Sequence, residues 1–279
     1  MTPATFQALV GMVKQRSGGV INPDQGYMLE TRLAPLLKRE GLPGLDALAQ
    51  RLQRPGSESL AQEMTELLTT NESSFFRDGR PFEHLRALLP ALHRARPAGQ
   101  PLRVWSAACS TGQEAYSISI LASELAEADA SFAARRVEII GTDITAAVLE
   151  RARAGVFTQF EVQRGLPIRT LMKRFSQDGT RWRVNPDIAA RCRFEKLNLL
   201  GDLRAVGRFD VIFCRNVLIY FDVPTKARVL AALAERLNPD GALYLGAAET
   251  AMGMATRLTP LPGERGVYAL GEEGASLRA

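Results

Sequence analysis

The chain has 279 residues, of which 46% are hydrophobic and 23% are charged, and its formal net charge is +5 at pH 7. This composition is typical of a globular protein with one large core or two smaller ones. No apolar run approaches the roughly 18 residues of a membrane span, and the first residues lack the order of a signal peptide. We therefore expect a cytoplasmic protein.

Cysteine and histidine are too few and too scattered for several classes of site. The three cysteines, Cys109, Cys192 and Cys214, form no close pair, which argues against a disulfide framework and a zinc site. The two histidines, His84 and His93, lie in one basic stretch, so a metal centre is not expected. Because no dense basic run contains interleaved aromatics, nucleic acid is not indicated as a partner.

Residues 1–70 show the spacing of short helices. Apolar residues at i, i+3, i+4 and i+7 from Phe6 to Val13 predict a first helix, which Gly18-Gly19 ends. Pro35 predicts a kink or a break in the second helix. The pattern indicates a small bundle whose other three helices are expected near residues 27–37, 45–52 and 60–68.

From residue 101 onwards, apolar runs of strand length alternate with helical stretches. This alternation predicts a parallel sheet with crossover helices, and the nearly continuous apolar strands indicate burial on both faces. The predicted strands are 102–105, 137–144, 194–199, 209–216 and 242–247, followed by 266–270.

Residues 155–193 do not fit a single crossover. The turn at residues 177–180 precedes RWRV (181–184), and RCRF (191–194) follows. Because arginine alternates with apolar residues in both segments, we expect small antiparallel strands with one solvent-exposed face, inserted beside the main sheet. A meandering loop is the alternative.

The segment WSAACSTGQEAYS (105–117) leads from the first predicted strand into a helix, where α/β proteins hold nucleotides. Its single glycine, Gly112, is too few for a dinucleotide loop, and Glu114 would repel a phosphate. The loop instead suits a ligand that has a cationic amino group and no phosphate. S-adenosylmethionine is such a ligand, and a nicotinamide oxidoreductase is disfavoured.

Two further strand ends carry polar side chains. Asp143 could accept hydrogen bonds from a ribose diol, or it could cap the following helix. Asn198 could hold an adenine edge, and is equally typical of a turn.

The sequence contains five long motifs: TTNESSFFRD (69–78), VWSAACSTGQEAYSISI (104–120), IIGTDI (139–144), FDVIFCRNVLIYF (209–221) and GALYLGAAE (241–249). These motifs closely resemble the CheR family, and the resemblance runs in order from about residue 5 to residue 270. The resemblance implies an S-adenosylmethionine-dependent methyltransferase that esterifies glutamates on bacterial chemoreceptors and releases S-adenosylhomocysteine. It implies a class I, Rossmann-like, doubly wound α/β sheet with a small antiparallel β insertion, preceded by an all-α domain.

The same resemblance divides the chain. We expect an N-terminal helical domain over 1–74, a linker and helix over 75–100, and an S-adenosylmethionine-binding domain over 101–279. The β insertion is expected at about 155–193.

The resemblance also assigns residues, with Arg77 and Tyr220 as the catalytic candidates and no metal. Ser73 stands where family members often have threonine, and it keeps the hydroxyl. Arg77 could instead form a surface ion pair, Arg215 could tie the fourth strand to a loop, and Cys109 is expected to be a small wall residue. The implied cofactor-binding residues are Asn71, Ser73, Arg77, Ala107, Gly112, Glu114, Asp143, Ile144, Asn198, Leu199, Arg215 and Asn216.

The implied partner is the cytoplasmic helical bundle of chemoreceptors, which would recruit the enzyme to membrane receptor arrays. Arg32, Lys38 and Arg39 are candidates for docking glutamate-bearing helices, with a plain solvated helix face as the alternative. The insertion lacks an obvious glycine-lined peptide edge, so we expect no dependence on a tethering peptide at receptor tails. We also expect a monomer.

Two other functions fit the pattern less well. A module that binds S-adenosylmethionine without turnover would not need Arg77 and Tyr220 in their motifs. A methyltransferase for a small molecule or another signalling protein is the second alternative. The helical N-terminal region favours a large protein substrate but does not identify which protein it is.

Overall fold

The computed structural model describes residues 1–254 and 256–271. The N-terminal part is a bundle of four helices, as predicted: α1 (Pro3–Ser17), α2 (Gly26–Arg39), α3 (Leu45–Leu52) and α4 (Glu58–Leu68). The Thr2 hydroxyl accepts a hydrogen bond from Thr5 N at 3.2 Å and so caps α1. Gly18 ends that helix in the left-handed conformation, with φ +82°.

The second helix differs from its prediction at one point. It continues through Pro35 to Arg39, so the predicted break is wrong. Packing compensates for the proline, because Leu29, Leu33 and Leu36 of the same helix are buried against the other three helices.

The remaining helices lie in the second part of the chain. They are α5 (Arg80–Ala95), α6 (Gln113–Ala128), α7 (Ala130–Ala133), α8 (Ala146–Ala154), α9 (Gln159–Gln163), α10 (Ile168–Arg174), α11 (Pro186–Ala189) and α12 (Val223–Arg236). None of the helices in the described residues is long and apolar enough to cross a membrane.

Ten strands are present in the described residues, and they form two sheets. The strands are β1 (Leu102–Ala107), β2 (Val137–Asp143), β3 (Val156–Thr158), β4 (Phe175–Asp178), β5 (Arg181–Val184), β6 (Cys192–Lys196), β7 (Phe209–Cys214), β8 (Leu237–Leu245), β9 (Leu258–Pro260) and β10 (Val267–Leu270). The main sheet has the order β6-β2-β1-β7-β8-β10-β9, and its first five strands are parallel, as predicted. The last two strands pair antiparallel.

The main sheet is covered on both faces. Successive side chains of a strand point to opposite faces, so Val104 packs in one hydrophobic cluster and Trp105 in the other. The first cluster includes Leu121 of α6, and the second includes Leu230 of α12. This arrangement is the doubly wound architecture that the sequence predicted.

The insertion contains a three-stranded antiparallel sheet with the order β3-β5-β4, so the predicted β element is present. One part of the prediction is wrong. Most of RCRF (191–194) belongs to β6, which pairs parallel with β2 at the edge of the main sheet. An edge strand with one wet face shows the same alternation of arginine and apolar residues, so periodicity could not separate the two placements.

Candidate active site

A cavity of about 170 Å³ lies beyond the carboxyl ends of β1, β2, β6 and β7. Side chains of α1 and α2 line it from the helical bundle, together with the connections that follow α1 and α4. The cavity brings together eleven of the predicted site residues: Asn71, Ser73, Arg77, Glu114, Asp143, Ile144, Asn198, Leu199, Arg215, Asn216 and Tyr220.

Two predicted residues, Ala107 and Gly112, stand outside the lining that the described residues form. Ala107 is the last residue of β1 and pairs with Thr142. Gly112 has φ +93°, and a Cβ there would lie 3.1 to 3.2 Å from side chains that include Phe194 and Tyr116. The glycine is therefore required by the start of α6 and its packing.

The loop after β1 curls tightly over the edge of the sheet. Ala108 and Ser110 adopt positive φ angles of 59° and 52°, which are uncommon for residues other than glycine. Ser110 N donates to Asp143 Oδ2 at 2.9 Å, and Ser110 Oγ donates to the carbonyl of Asn71 at 2.7 Å. These bonds join the TTNESSFFRD motif, the loop and the end of β2 around one cavity.

Asp143 lines the cavity and also bonds to the turn before α8, whose N-cap residue is Thr145. Its second carboxylate oxygen accepts from Thr145 N at 2.9 Å, so it organises the turn into α8. The side chain also lines the cavity, and a carboxylate has lone pairs left for a ligand. Burial raises the pKa of Asp143, while the backbone hydrogen bonds from Thr145 and Ser110 oppose this shift.

Glu114 is held at the first turn of α6. Its side chain is 14% exposed, it accepts from Ser106 Oγ at 2.8 Å, and it pairs with Arg215 at 3.2 Å. Burial raises the pKa of Glu114, and the nearby Arg215 guanidinium counteracts part of that rise.

Arg215 ties the end of β7 to the loop before α5. Its guanidinium donates to Asp78 Oδ2 at 2.6 Å and to the carbonyl of Arg77 at 3.0 Å. The side chain is 1% exposed, and Nε has no hydrogen-bond partner among the described residues. These contacts agree with the alternative in which Arg215 ties the fourth predicted strand to a loop. The same side chain also forms part of the cavity wall.

Residues of the β6 and β7 ends contact the helical bundle. Asn198 Nδ2 donates to the carbonyl of Arg16 at 2.6 Å, and its Oδ1 accepts from Leu200 N at 3.0 Å. Tyr220 is 38% exposed, and its carbonyl accepts from Val20 N at 2.8 Å. The bundle thus closes the cavity directly over the strand ends.

The TTNESSFFRD segment forms a further side of the cavity. Asn71 donates to Thr69 Oγ1 at 3.4 Å, and Arg77 donates to the carbonyl of Glu72 at 3.3 Å. Arg77 and Ser73 are half-buried and line the cavity. Arg77 therefore presents a cation to the cavity and forms only a weak contact with its own loop.

The three docking candidates on α2 have different surroundings. Arg32 is half-buried and donates to the carbonyls of Leu68 and Thr69, at 3.1 and 2.8 Å, where α4 leaves acceptors free. Arg39 is exposed and pairs with Glu63, and Lys38 is exposed. Arg32 thus serves to fix the end of α4, whereas Lys38 and Arg39 lie on the surface.

Sequence reasoning missed part of the lining. Val20, Ile21 and Met28 line the cavity from the helical bundle, beside Val13 of α1. The signal that could have indicated them is Val20-Ile21, an apolar pair between two predicted helices that neither helix uses.

Comparison with known proteins matches both parts of the chain. Residues 4–69 match the family described as "CheR methyltransferase, all-alpha domain". Residues 71–267 match "CheR methyltransferase, SAM binding domain". The chain belongs to the CheR methyltransferase family. The CheR assignment confirms the predicted fold and identifies residues 71–267 as an S-adenosylmethionine-binding methyltransferase domain.

Relatives that resemble this CheR chain along most of its length include three proteins. Chemotaxis protein methyltransferase Cher2 of Pseudomonas putida is 36% identical over 89% of this chain and 91% of that protein. Chemotaxis protein methyltransferase 1 of Pseudomonas aeruginosa is 38% identical over 88% and 90%. The chemotaxis protein methyltransferase of Escherichia coli is 35% identical over 98% and 93%.

Proposed function

We propose that this protein transfers the methyl group of S-adenosylmethionine to glutamate side chains of bacterial chemoreceptors. The products are glutamate methyl esters and S-adenosylhomocysteine. The observation that carries the proposal is the single cavity that gathers eleven predicted residues in a chain of the CheR family. The names of the relatives, all chemotaxis protein methyltransferases, support the role in chemotaxis.

The chemistry of the cavity wall fits S-adenosylmethionine, which supplies an activated methyl group on a sulfonium. Glu114 would hold the cationic amino group and Asp143 the ribose hydroxyls, because both are carboxylates that line the same cavity. Two such carboxylates would repel a pyrophosphate. Asn198 and Leu199 would border the adenine. Asn198 would do so as part of the cavity wall, since its side-chain amide is already hydrogen-bonded to the backbone of Arg16 and Leu200.

The acceptor needs no general base. A glutamate side chain has a pKa of about 4.3 in water and is already ionised at pH 7. What the enzyme must supply is position, an effect worth up to about 7–11 kcal/mol in favourable cases. Arg77 provides a cation and Tyr220 a hydroxyl, and both can hold a carboxylate without protonating it.

The experiment is methyl transfer to receptor-bearing membranes, followed by mass spectrometry of the receptors. Glutamate esters release methanol in mild alkali, whereas N-methyl and S-methyl products do not. Arg77→Ala should reduce turnover far more than it reduces affinity for S-adenosylhomocysteine. The matched control is Arg80→Ala, an exposed arginine three residues along the chain and outside the cavity lining. Near-normal transfer by Arg77→Ala would remove Arg77 from the mechanism.

Independence of a tethering peptide is part of the proposal. The turn of the β4–β5 hairpin contains Gly179, and neither β3 nor β4 contains a glycine. Titration of isolated receptor-tail peptides should show no micromolar binding, and micromolar binding would contradict independence.

The domain division proposed from the sequence, at residues 74 and 100, has support in the packing. The buried side chains from Phe6 to Leu68 form one cluster, and Phe75 belongs to the cluster of the main sheet. Limited proteolysis that cleaves between these residues without melting the methyltransferase part would test the boundary.

A further inference from the structure

A buried carboxylate follows β8, in the turn that closes this strand. Glu249 is 9% exposed, and it is not part of the cavity lining formed by the described residues. Its neighbours Ala247 and Ala248 are exposed, so the glutamate alone turns back into the protein. A buried carboxylate must be satisfied by hydrogen bonds or a cation.

Four backbone N–H groups converge on this carboxylate. Oε2 accepts from Asn216 N at 2.8 Å and from Gly246 N at 2.6 Å. Oε1 accepts from Val217 N at 2.9 Å and from Ile219 N at 3.2 Å. Three of these four donors belong to the segment that joins β7 to Tyr220.

The surrounding backbone is shaped for the contact. Asn216 has φ +60°, a left-handed conformation that is uncommon outside glycine and needs support from its surroundings. At Gly246, a Cβ would lie 2.7 Å from Glu249 Oε2 and 2.9 Å from Asn216 N. Both distances are shorter than van der Waals contact, so the ends of β7 and β8 approach closely only because residue 246 is glycine.

We propose that Glu249 is a positioning residue for methyl transfer. Its carboxylate holds the segment 216–220 in the conformation that presents Asn216 and Tyr220 to the cavity. Glu249 acts through these two residues and does not touch the reacting atoms. The inference rests on the proposed function for the role of Tyr220, and on the geometry alone for the support of Asn216.

The chemistry of the contact requires a carboxylate. Both oxygens of Glu249 accept, and each faces two N–H groups. Glutamine has the same shape but replaces one oxygen by an NH₂ group, which would meet two donors. Glu249→Gln therefore removes half of the support while keeping the volume, and the segment must rearrange.

The test compares Glu249→Gln with Glu235→Gln, a change at an exposed glutamate of α12 outside the cavity. Calorimetry measures the affinity for S-adenosylhomocysteine, and a methyl-transfer assay with receptor membranes measures kcat. Glu249→Gln should weaken binding about tenfold and lower kcat at least tenfold. Glu235→Gln should leave both values unchanged.

A double-mutant cycle separates positioning from general destabilisation. In the Tyr220→Phe background, Glu249→Gln should lower kcat by less than about threefold, because its effect passes through a hydroxyl that is already gone. If the double variant loses kcat by the full product of the two single-variant factors, the proposal is overturned. Normal binding and normal kcat in Glu249→Gln would overturn it as well, and would leave the methyltransferase function intact.

Two further outcomes are decisive. If the wild type esterifies no receptor, the proposed function fails, and the tenfold loss of S-adenosylhomocysteine affinity still tests Glu249. If Glu249→Gln does not fold, Gly246→Ala displaces the same carboxylate from the other side and should show the same losses. Normal binding and turnover in Gly246→Ala, or loss of the folded state in both variants, would overturn the assignment.

Discussion

Gly165→Ala should destabilise the protein strongly, although Gly165 is an exposed residue of the insertion. A Cβ at this position would lie 1.9 Å from the carbonyl oxygen of Phe75. Phe75 belongs to the TTNESSFFRD motif, two residues from both Ser73 and Arg77. The glycine thus allows the insertion to lie against the backbone that forms one side of the cavity.

The magnitude follows from two separate costs. A carbon and a carbonyl oxygen normally approach to about 3.3 Å, so one backbone must move by about 1.4 Å. Overpacking of this kind costs roughly 1–3 kcal/mol. Gly165 also has φ +104°, and a positive φ costs an L-residue about 1–2 kcal/mol. Gly165→Ala should therefore lower the free energy of unfolding by about 2–5 kcal/mol.

Gly179→Ala is the matched control, because Gly179 has φ +61° and open space where the Cβ would stand. It should cost only the conformational part, about 1–2 kcal/mol. Urea unfolding followed by tryptophan fluorescence measures both variants, since Trp105 lies in the main sheet and Trp182 in the insertion. If Gly165→Ala costs no more than Gly179→Ala, the close contact with Phe75 does not exist and the reasoning fails.

Three further predictions concern the cavity. Asp143→Ala should weaken S-adenosylhomocysteine binding at least tenfold, because hydrogen bonds to a charged group are worth about 1.5–3 kcal/mol; unchanged affinity in calorimetry would remove Asp143 from the site. The pKa of Glu114 is raised by burial, so affinity for S-adenosylhomocysteine should fall as the pH is lowered, beginning above the 4.5 at which glutamate usually titrates. Glu114→Gln should weaken this pH dependence in a binding titration and leave the part that Asp143 contributes, since burial raises the pKa of Asp143 as well; an unaltered dependence would assign it to Asp143 or another group. Cys109→Ala should retain methyl transfer, since burial raises the pKa of the Cys109 thiol and keeps it neutral; loss of activity in a folded variant would contradict a wall role.

The parallel strands could be predicted because burial on both faces leaves a nearly continuous apolar run in the sequence. The residues at which these strands begin and end could be predicted less accurately. The third strand was expected at 194–199 and is found at Cys192–Lys196, because the apolar Leu197 and Leu199 continue the pattern beyond the last paired residue. The strand β9 (Leu258–Pro260) was not predicted, since three residues that include proline carry no periodic signal.

The site residues could be predicted where their position at the end of a strand places them in the site. Strand ends meet at one edge of a parallel sheet, so Glu114, Asp143 and Asn216 were expected together and line one cavity. The support of Asn216 by Glu249 joins residues 33 positions apart, and nothing in either local pattern indicates it. Contacts of this kind are set by tertiary packing and have no period in the sequence.

The contacts of the helical bundle close the cavity, in addition to any role of its surface in docking. Lys14 pairs with Asp222 at 2.7 Å, and Glu66 pairs with Lys196 at 2.7 Å while accepting from Ala146 N at 3.0 Å. These contacts hold the bundle against the ends of β2, β6 and β7.

The same argument applies to the residues first considered for docking. Arg32 bonds to the carbonyls that end α4, immediately before Asn71, so replacing it would disturb the cavity as well as the surface charge. A loss of activity in an Arg32 variant would therefore not identify a docking residue. Lys38 is the cleaner probe, because it is exposed on the same helix. If the bundle docks acidic receptor helices, Lys38→Glu should raise the KM for the receptor and leave S-adenosylhomocysteine affinity unchanged, and an unchanged KM would place docking elsewhere.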